Sequence, residues 1–131
     1  MISFRIACLV STIVCLVLFA ILLIAPANYV AGYGGPANDG AEFMGRRGAP
    51  MLLGLALITG LLRGSLDLAV QWVVSWAMIA AYVGVALTGI YAYVSGDAAL
   101  SIIWAAAGEI LLAGVFALTL RHPGQPNGGA G

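Results

Sequence analysis

The chain has 131 residues, of which 63% are hydrophobic and only 8% are charged, and its formal net charge is zero. A soluble domain typically carries about 25% charged residues, so this composition excludes a water-soluble globular domain and predicts an integral membrane protein with the lipid bilayer as its main partner. The five basic residues form no patch or run, which excludes nucleic acid as a partner.

The first predicted element is a membrane span over residues 6–25, a run without a single charged residue. A transmembrane helix needs about 20 apolar residues to cross the hydrocarbon core. The run exceeds the apolar core of a signal peptide, about 7–15 residues, so we interpret it as an uncleaved helix, with a cleaved signal peptide as the alternative. The two cysteines of this run and His122 are the only Cys and His residues of the sequence. They are too few for a zinc site of the usual Cys/His kind, and we predict no metal.

Residues 26–47 are predicted to form a long loop rich in glycine, which ends with Arg46 and Arg47. Such a loop is either a passive linker or a segment that contacts a partner or caps a cavity. The two arginines are expected to contact lipid headgroups and set the topology. Alternatively, they bind an anionic lipid phosphate or a carboxylate of a partner.

The second predicted span covers residues 48–62, which is short for a membrane span. Its length would be roughly 22 Å, less than the hydrocarbon core of about 30 Å. Long arginine side chains on either side can reach toward the headgroups. We therefore favour a short full span over a re-entrant segment.

The third and fourth predicted spans cover residues 68–94 and 98–120 and are joined by a tight turn. Trp72 and Trp76 lie near the start of the third span, where aromatic side chains are expected to contact the membrane interface or a partner. The short links predict that the second, third and fourth spans are neighbours in the order of the chain.

Four spans place both termini on the same side of the membrane. That side would hold three of the five arginines, Arg5, Arg63 and Arg121, which favours the cytoplasmic side of a cell (plasma) membrane. Residues 122–131 are rich in Gly and Pro and are predicted to be disordered. The sequence thus predicts an all-α fold, an integral membrane four-helix bundle that forms a single domain over residues 1–121.

Glu109 is the one ionisable residue expected near the middle of the bilayer. A charged group there is costly, so such residues face the protein interior and find partners. Small residues repeat at every fourth position around it, at Ser101, Ala105, Ala113 and Ala117. Because small residues let helices approach closely, we expect the carboxyl to point between helices and to be uncharged.

Tyr82 is the first candidate to form a hydrogen bond with Glu109, because it lies at the same expected depth on the third span. Thr12 and Thr59, on the first and second spans, are the next candidates, together with Cys15. The third span has its own stripe of small residues, Ala80, Gly84 and Thr88, which we expect to face the fourth span. Ser75, Tyr82 and Gly89 repeat every seven residues and are expected to share a face.

Three interpretations of Glu109 remain open. The carboxyl joins helices through a hydrogen bond, or it binds a polar group of a lipid, quinone, pigment or partner helix, or it carries protons or cations in transport. The other acidic residues are expected near the membrane surfaces, so a relay of several carboxyls is not available.

The segment GRRGAPMLLGLALITGLL, residues 45–62, together with the four short spans, resembles small uncharacterised bacterial membrane proteins of the DoxX-like group. Those proteins also place an arginine and glycines before an apolar second helix. The resemblance implies a four-helix bundle in the bacterial inner membrane and implies no catalytic residue.

The sequence contains no catalytic constellation: no Ser/His/Asp array, no haem-binding His pair at depth, no phosphate loop and no CxxC. We therefore expect a non-catalytic accessory or scaffold subunit of a larger membrane complex, with other membrane protein subunits or further copies of the chain as partners. The alternative is a protein that binds or transports a hydrophobic small molecule (lipid, quinone or pigment) anchored at Glu109. A membrane enzyme acting on lipids is the third class.

Overall fold

The computed structural model describes residues 3–121, which form five α-helices and no strand. The helices are α1 (Phe4–Ile24), α2 (Pro26–Gly32), α3 (Asp39–Leu62), α4 (Leu68–Val94) and α5 (Ser101–Arg121). The predicted all-α class is therefore confirmed. The predicted disorder of residues 122–131 lies outside the described residues.

Three of these helices are long and apolar enough to cross a membrane: α1, α4 and residues 101–120 of α5. The third helix in the chain, α3, is longer than α1, with 24 residues against 21, but has a lower apolar content. Its first turns carry Asp39, Glu42, Arg46 and Arg47, and only the part after them is uncharged.

The expected loop over residues 26–47 contains more helix than the sequence suggested. Pro26 occupies the first turn of the short helix α2. Backbone N–H groups there have no partner within the helix, so the N–H that proline lacks costs no hydrogen bond. The side chain of Asn38 accepts a hydrogen bond of 2.9 Å from the backbone N–H of Ala41 and caps the start of α3. Asp39 and Glu42 then lie in the first turn, where negative charge favours a helix.

The four long helices form two close pairs, α1 with α3 and α4 with α5. The two pairs contact each other mainly through α1 and α5, and less through α3 and α4. The sequence predicted that the helices now called α3 and α4 are neighbours, and in the structure they contact each other only slightly. Around the bundle the order is therefore α3, α1, α5, α4, with α1 and α4 at opposite corners. Phe4 and Phe116 share the hydrophobic core, which places the start of α1 and the end of α5 at the same end of the bundle.

Buried side chains repeat with the seven-residue spacing of a left-handed bundle. Helices pack this way when residues three and four apart alternate along the contact. The buried residues of the four long helices are Phe4, Ala7, Cys8, Ser11 and Cys15 on α1; Ala49, Ala56 and Thr59 on α3; Val74, Ser75, Met78, Tyr82 and Ala86 on α4; and Ala106, Ala113, Phe116 and Thr119 on α5.

The stripe of small residues on α4 faces away from α5, contrary to expectation. Ala80, Gly84 and Thr88 are exposed, and no atom lies within 4 Å of a Cβ placed on Gly84. The inner face of α4 is instead the seven-residue series. On it Ser75 and Tyr82 are buried, and a Cβ on Gly89 would lie 3.2 Å from Ile102 of α5. The α4 stripe is therefore offset around the helix from the residues that contact α5.

Candidate functional site

Hydroxyl groups connect the long helices inside the bundle. Thr12 of α1 and Thr59 of α3 are joined by a hydrogen bond of 2.9 Å between their side-chain oxygens. The hydroxyls of Ser75 on α4 and Thr119 on α5 are 3.0 Å apart. These two bonds hold the close pairs together without any charged group.

A third hydroxyl bond connects the two pairs. The phenol oxygen of Tyr82 on α4 lies 2.7 Å from Oγ of Ser11 on α1. The same phenol is 4.0 Å from the Cys15 sulfur, and the ring stacks on Phe116 with centroids 6.5 Å apart. Tyr82 therefore spans the interior between helices at opposite corners of the bundle.

The three threonines in these pairs also lie within hydrogen-bond distance of backbone carbonyls three or four residues earlier, a common arrangement for this residue in membrane helices. Because a hydroxyl has one proton, only one of Thr12 and Thr59 donates to its own helix while the other donates across the pair. The acceptors are the carbonyls of Cys8 for Thr12, Leu55 for Thr59 and Phe116 for Thr119. Within residues 3–121, every buried side-chain oxygen and nitrogen has a hydrogen-bond partner.

Glu109 is the exception to this pattern of paired polar groups. It lies three residues after Ala106 and four before Ala113, both buried, and so occupies an inward position of α5. The side chain nevertheless keeps partial exposure. No hydrogen bond or salt bridge within the described residues involves its carboxyl.

Tyr82, the first candidate partner of Glu109, forms no hydrogen bond with it within the described residues, because its hydroxyl bonds to Ser11 instead. Thr12 and Thr59, the other candidate partners, bond to each other.

The short helix α2 covers the end of the bundle at which α5 begins. The backbone N–H of Ala99 donates to the carbonyl of Tyr33 over 2.7 Å. The hydroxyl of Ser101 donates to the carbonyl of Gly32 over 2.8 Å. The N–H groups at the start of a helix have no partner within it, so this contact suits the beginning of α5.

Two tyrosines of the docked segment, Tyr29 and Tyr33, are half-buried and contact each other. The rings of Tyr29 and Tyr33 meet edge to face with centroids 5.0 Å apart. Burial raises the pKa of the Tyr29 phenol above its usual range, and the neighbouring Tyr33 and Glu109 add to the rise. Tyr29 therefore stays protonated and can donate a hydrogen bond.

Arg46 and Arg47 lie within α3, and both have contacts in their own helix. Arg46 is 3.0 Å from the carboxylate of Glu42, one turn earlier. The guanidinium of Arg47 lies 5.9 Å from the ring centre of Phe43. All four side chains are on the first third of α3, at the α2 end of the bundle.

Trp72 and Trp76 lie at the other end of the bundle, on the outer side of α4. Trp72 is 59% exposed and Trp76 is 50% exposed. Their rings meet edge to face with centroids 6.1 Å apart. A cavity of about 350 Å³ lies beside Trp72 and is lined mainly by apolar side chains, with Gln71, Ser75 and Thr119 as its polar members. This placement is typical of an interfacial aromatic belt.

Several residues of this interior network were not singled out from the sequence: Ser11, Thr119, Tyr29 and Tyr33. The seven-residue spacing would have indicated two of them, since Ser11 follows Phe4 by seven positions and Thr119 follows Leu112, which packs on the core, by seven. Nothing in the sequence indicated Tyr29, because its position depends on how α2 folds back.

Comparison with protein-family models, with curated proteins and with solved structures gives no match. The resemblance to the DoxX-like group therefore stays an expectation. Among residues 3–121, no three His, Cys, Asp or Glu side chains come close enough to hold a metal ion.

Proposed function

We propose that the chain is a non-catalytic membrane subunit that associates with other membrane protein subunits, or with further copies of itself, through the outer face of α4. The single observation that supports this function is the exposed stripe of small residues at Ala80, Gly84 and Thr88. These residues lie in the middle of a helix that is long and apolar enough to span a membrane.

Small residues at every fourth position are a common way for membrane helices to approach one another. Lipid tails are as apolar as leucine, so association depends on close packing of backbones rather than on the hydrophobic effect. Inside this bundle the stripe has no such role, because α5 packs on the other face of α4. A neighbouring helix from another chain would use it.

We further propose that α3 crosses the membrane as a fourth, short span of a four-helix bundle. Its uncharged part, residues 48–62, packs along α1 and bonds to it through Thr59. The charged first turns of α3, with Arg46 and Arg47, then lie at headgroup level, where they contact anionic lipids or a partner. A bacterial inner membrane with both termini in the cytoplasm fits the arginine distribution.

Topology is tested by fusing reporters to the C-terminus of the full chain. A fluorescent protein that folds in the cytoplasm should be bright there, and alkaline phosphatase, which needs an oxidising compartment, should be inactive. The opposite pair of results would reverse the proposed orientation.

The subunit function is tested by purifying the tagged chain from native membranes in a mild detergent, as wild type and as Gly84→Leu. We expect the wild type to elute in an assembly larger than one chain, and Gly84→Leu to elute mainly as a single chain. A leucine at this position holds a neighbouring helix away from the α4 backbone.

Gly108→Leu on α5 is the matched control, because Gly108 is also exposed and a Cβ there would meet no atom within 4 Å. It should leave the assembly unchanged. A wild-type chain that runs only as a monomer would contradict the proposal, as would a Gly84→Leu variant that keeps its assembly.

A second candidate function is supported by Glu109: the binding of a hydrophobic small molecule inside the membrane. Its carboxyl has no hydrogen-bond partner within the described part of the chain, although it lies on the inward side of α5, between buried Ala106 and Ala113. An acidic group at this depth normally has a partner, and a bound molecule would supply one.

A further inference from the structure

We infer that the cavity between the start of α4 and the end of α5 binds a compact, neutral hydrophobic molecule that carries a hydrogen-bond donor, such as a phenol or an alcohol. The cavity has a volume of about 350 Å³. The inference goes beyond the subunit function and does not depend on it. It also concerns a site separate from Glu109, which lies ten residues before Thr119 of the cavity wall.

The walls of the cavity are mainly apolar. Leu68, Ala69 and Trp72 contribute from α4, and Leu120 contributes from the last turn of α5. Sites for small molecules are typically concave and mostly apolar, with volumes of about 300–1,000 Å³ and a few polar groups that fix the orientation of the ligand. This cavity is near the lower end of that range, so it fits a compact molecule rather than a whole phospholipid.

The hydrogen bonds on the inner wall have a fixed direction. The hydroxyl of Thr119 donates to the carbonyl of Phe116 over 2.7 Å, and its oxygen lies 3.0 Å from Oγ of Ser75. Because a hydroxyl has one proton, Ser75 donates to Thr119. The opposite direction would leave the Ser75 proton without an acceptor among the described residues. Both protons are therefore used within the protein, and the Thr119 oxygen keeps one lone pair that can accept a hydrogen bond.

Gln71 supplies the second acceptor of the cavity. Its amide nitrogen donates to the carbonyl of Ser65 over 2.8 Å, while its amide oxygen accepts no hydrogen bond within residues 3–121. Ser75 is fully buried and Thr119 keeps 9% exposure, so a ligand meets the oxygens of Thr119 and Gln71. The second N–H of the Gln71 amide is the one donor that accompanies them. The polar part of the wall therefore favours a ligand that donates.

The described residues that line the cavity carry no charge. A charged group in apolar surroundings is costly unless it is paired, so a phosphate or an ammonium group does not suit the site. A quinone or an ester offers only acceptors, which would meet two acceptor oxygens and a single N–H. Water can donate to these oxygens but leaves the apolar walls uncovered. A phenol or an alcohol satisfies the oxygens and covers the walls.

The position of the polar groups along α4 sets the orientation of the ligand. Ser75 follows Leu68, the first residue of α4, by seven residues, or about 10 Å along the helix. The hydroxyl pair therefore lies deeper than Leu68 and Ala69, and the donor of the ligand points inward. Its apolar body contacts Trp72, whose exposed ring is typical of the membrane interface. Molecules dissolved in that interface reach the cavity directly.

The experiment measures tryptophan fluorescence of the full chain in lipid nanodiscs. Trp76→Phe and Trp104→Phe leave Trp72, in the cavity wall, as the only tryptophan of the chain. The probes are 4-bromophenol, which is uncharged at about pH 6, and 4-bromoanisole, in which a methyl group replaces the donated hydrogen. Bromine quenches tryptophan on contact. We expect saturable quenching by both probes, with about fivefold higher affinity for the phenol, the effect of one hydrogen bond.

A second protein corrects for partition of the probes into lipid. It carries Trp72→Phe and Trp76→Phe and keeps Trp104, which is 76% exposed near the start of α5, at the opposite end of the bundle. Quenching of Trp104 should rise in proportion to the added probe, and its slope reports the concentration of probe in the lipid. The affinities at Trp72 are expressed relative to that concentration. Saturation of both tryptophans at the same concentration would overturn the assignment to this cavity.

The hydroxyl pair is tested by removal of both its members. Ser75→Ala and Thr119→Val are combined, because loss of one hydroxyl alone would leave its partner unpaired inside the bundle. The preference for 4-bromophenol should fall below about twofold, with the affinity for 4-bromoanisole unchanged. Thr88→Val is the matched control, since the Thr88 hydroxyl is exposed and bonds to its own helix. A full preference in the combined variant would overturn the role of the hydroxyls.

The cavity itself is tested by filling it. Ala69→Leu enlarges a side chain of the wall and should weaken binding of both probes at least about tenfold. Ala77→Leu is the matched control, because Ala77 is exposed on α4 and does not line the cavity. If neither probe quenches Trp72 saturably, the site is overturned. If 4-bromoanisole binds as tightly as 4-bromophenol, or more tightly, the donor class of the ligand is overturned.

Discussion

The phenol of Tyr82 on α4 reaches Ser11 on α1 over 2.7 Å, although these helices stand at opposite corners of the bundle. Because α1 and α4 have little other direct contact, this bond links the α1/α3 pair to the α4/α5 pair through the interior.

Removal of the Tyr82 hydroxyl should therefore loosen the contact between the two pairs. We expect Tyr82→Phe to lower the free energy of unfolding in detergent by about 0.6–1.7 kcal/mol, the range for hydrogen bonds between membrane helices. Tyr91→Phe is the control, because Tyr91 is exposed on α4 and should shift stability by less than about 0.5 kcal/mol. Equal stabilities of the two variants would contradict the assigned role of the bond.

The bond between Thr12 and Thr59 should show measurable coupling. We expect a double-mutant cycle of Thr12→Val and Thr59→Val to give a coupling energy of about 0.5–1 kcal/mol. A cycle of Thr12→Val with Thr88→Val is the control, since Thr88 is exposed and its hydroxyl bonds only to its own helix. Additive effects in the first cycle would show that the two hydroxyls act independently.

Gly34 should be required for α2 to dock on α5. Its φ is +77°, and a Cβ there would lie 2.8 Å from Cβ of Ala99. We expect Gly34→Ala to cost about 1–3 kcal/mol and to speed hydrogen exchange at the Ala99 amide. Gly96→Ala is the control for backbone strain without a steric clash. Gly96 also has a positive φ, +82°, but a Cβ there would meet no atom within 4 Å. Gly96→Ala should leave exchange at Ala99 unchanged, and an equal response would argue against docking at Gly34.

The two cysteines should be protected from reagents in the folded protein. Cys8 and Cys15 are free and fully or almost fully buried. We expect N-ethylmaleimide to label neither until the chain is denatured, as followed by intact-mass spectrometry. Tyr82→Ala should expose Cys15, whose sulfur contacts the phenol, and leave Cys8 protected. Labelling of both cysteines in the folded wild type would contradict the packing of α1.

The apolar runs of the sequence predicted the long helices well. The third predicted span and α4 have the same bounds, residues 68–94, because a capping aspartate and a Ser-Gly turn delimit the apolar run. The fourth span begins at Ser101 rather than at residue 98, since Ala99 donates its N–H to Tyr33 instead of joining the helix. The helices within residues 26–47 were missed because a short or charged helix leaves no apolar run.

The candidate site was less predictable, because it depends on the order of helices around the bundle. Depth suggested Tyr82 as the partner of Glu109, whereas the Tyr82 hydroxyl bonds to Ser11. Depth alone could not indicate Ser11, because the choice of partner depends on which face of each helix points inward. The four-residue stripes on α4 and α5 suggested one common contact, whereas the helices pack on a seven-residue repeat and leave the α4 stripe outside.

The contact between α2 and the beginning of α5 also constrains the order of events on the ribosome. The carbonyl of Tyr33 accepts a hydrogen bond from the N–H of Ala99, and Ala99 is synthesised only after α3 and α4. During translation α2 can pack on α1 and α3 first, but its hydrogen bonds toward the start of α5 form only after Ala99 and Ser101 have been made. The α2 end of the bundle is therefore completed late, after α4 has been synthesised.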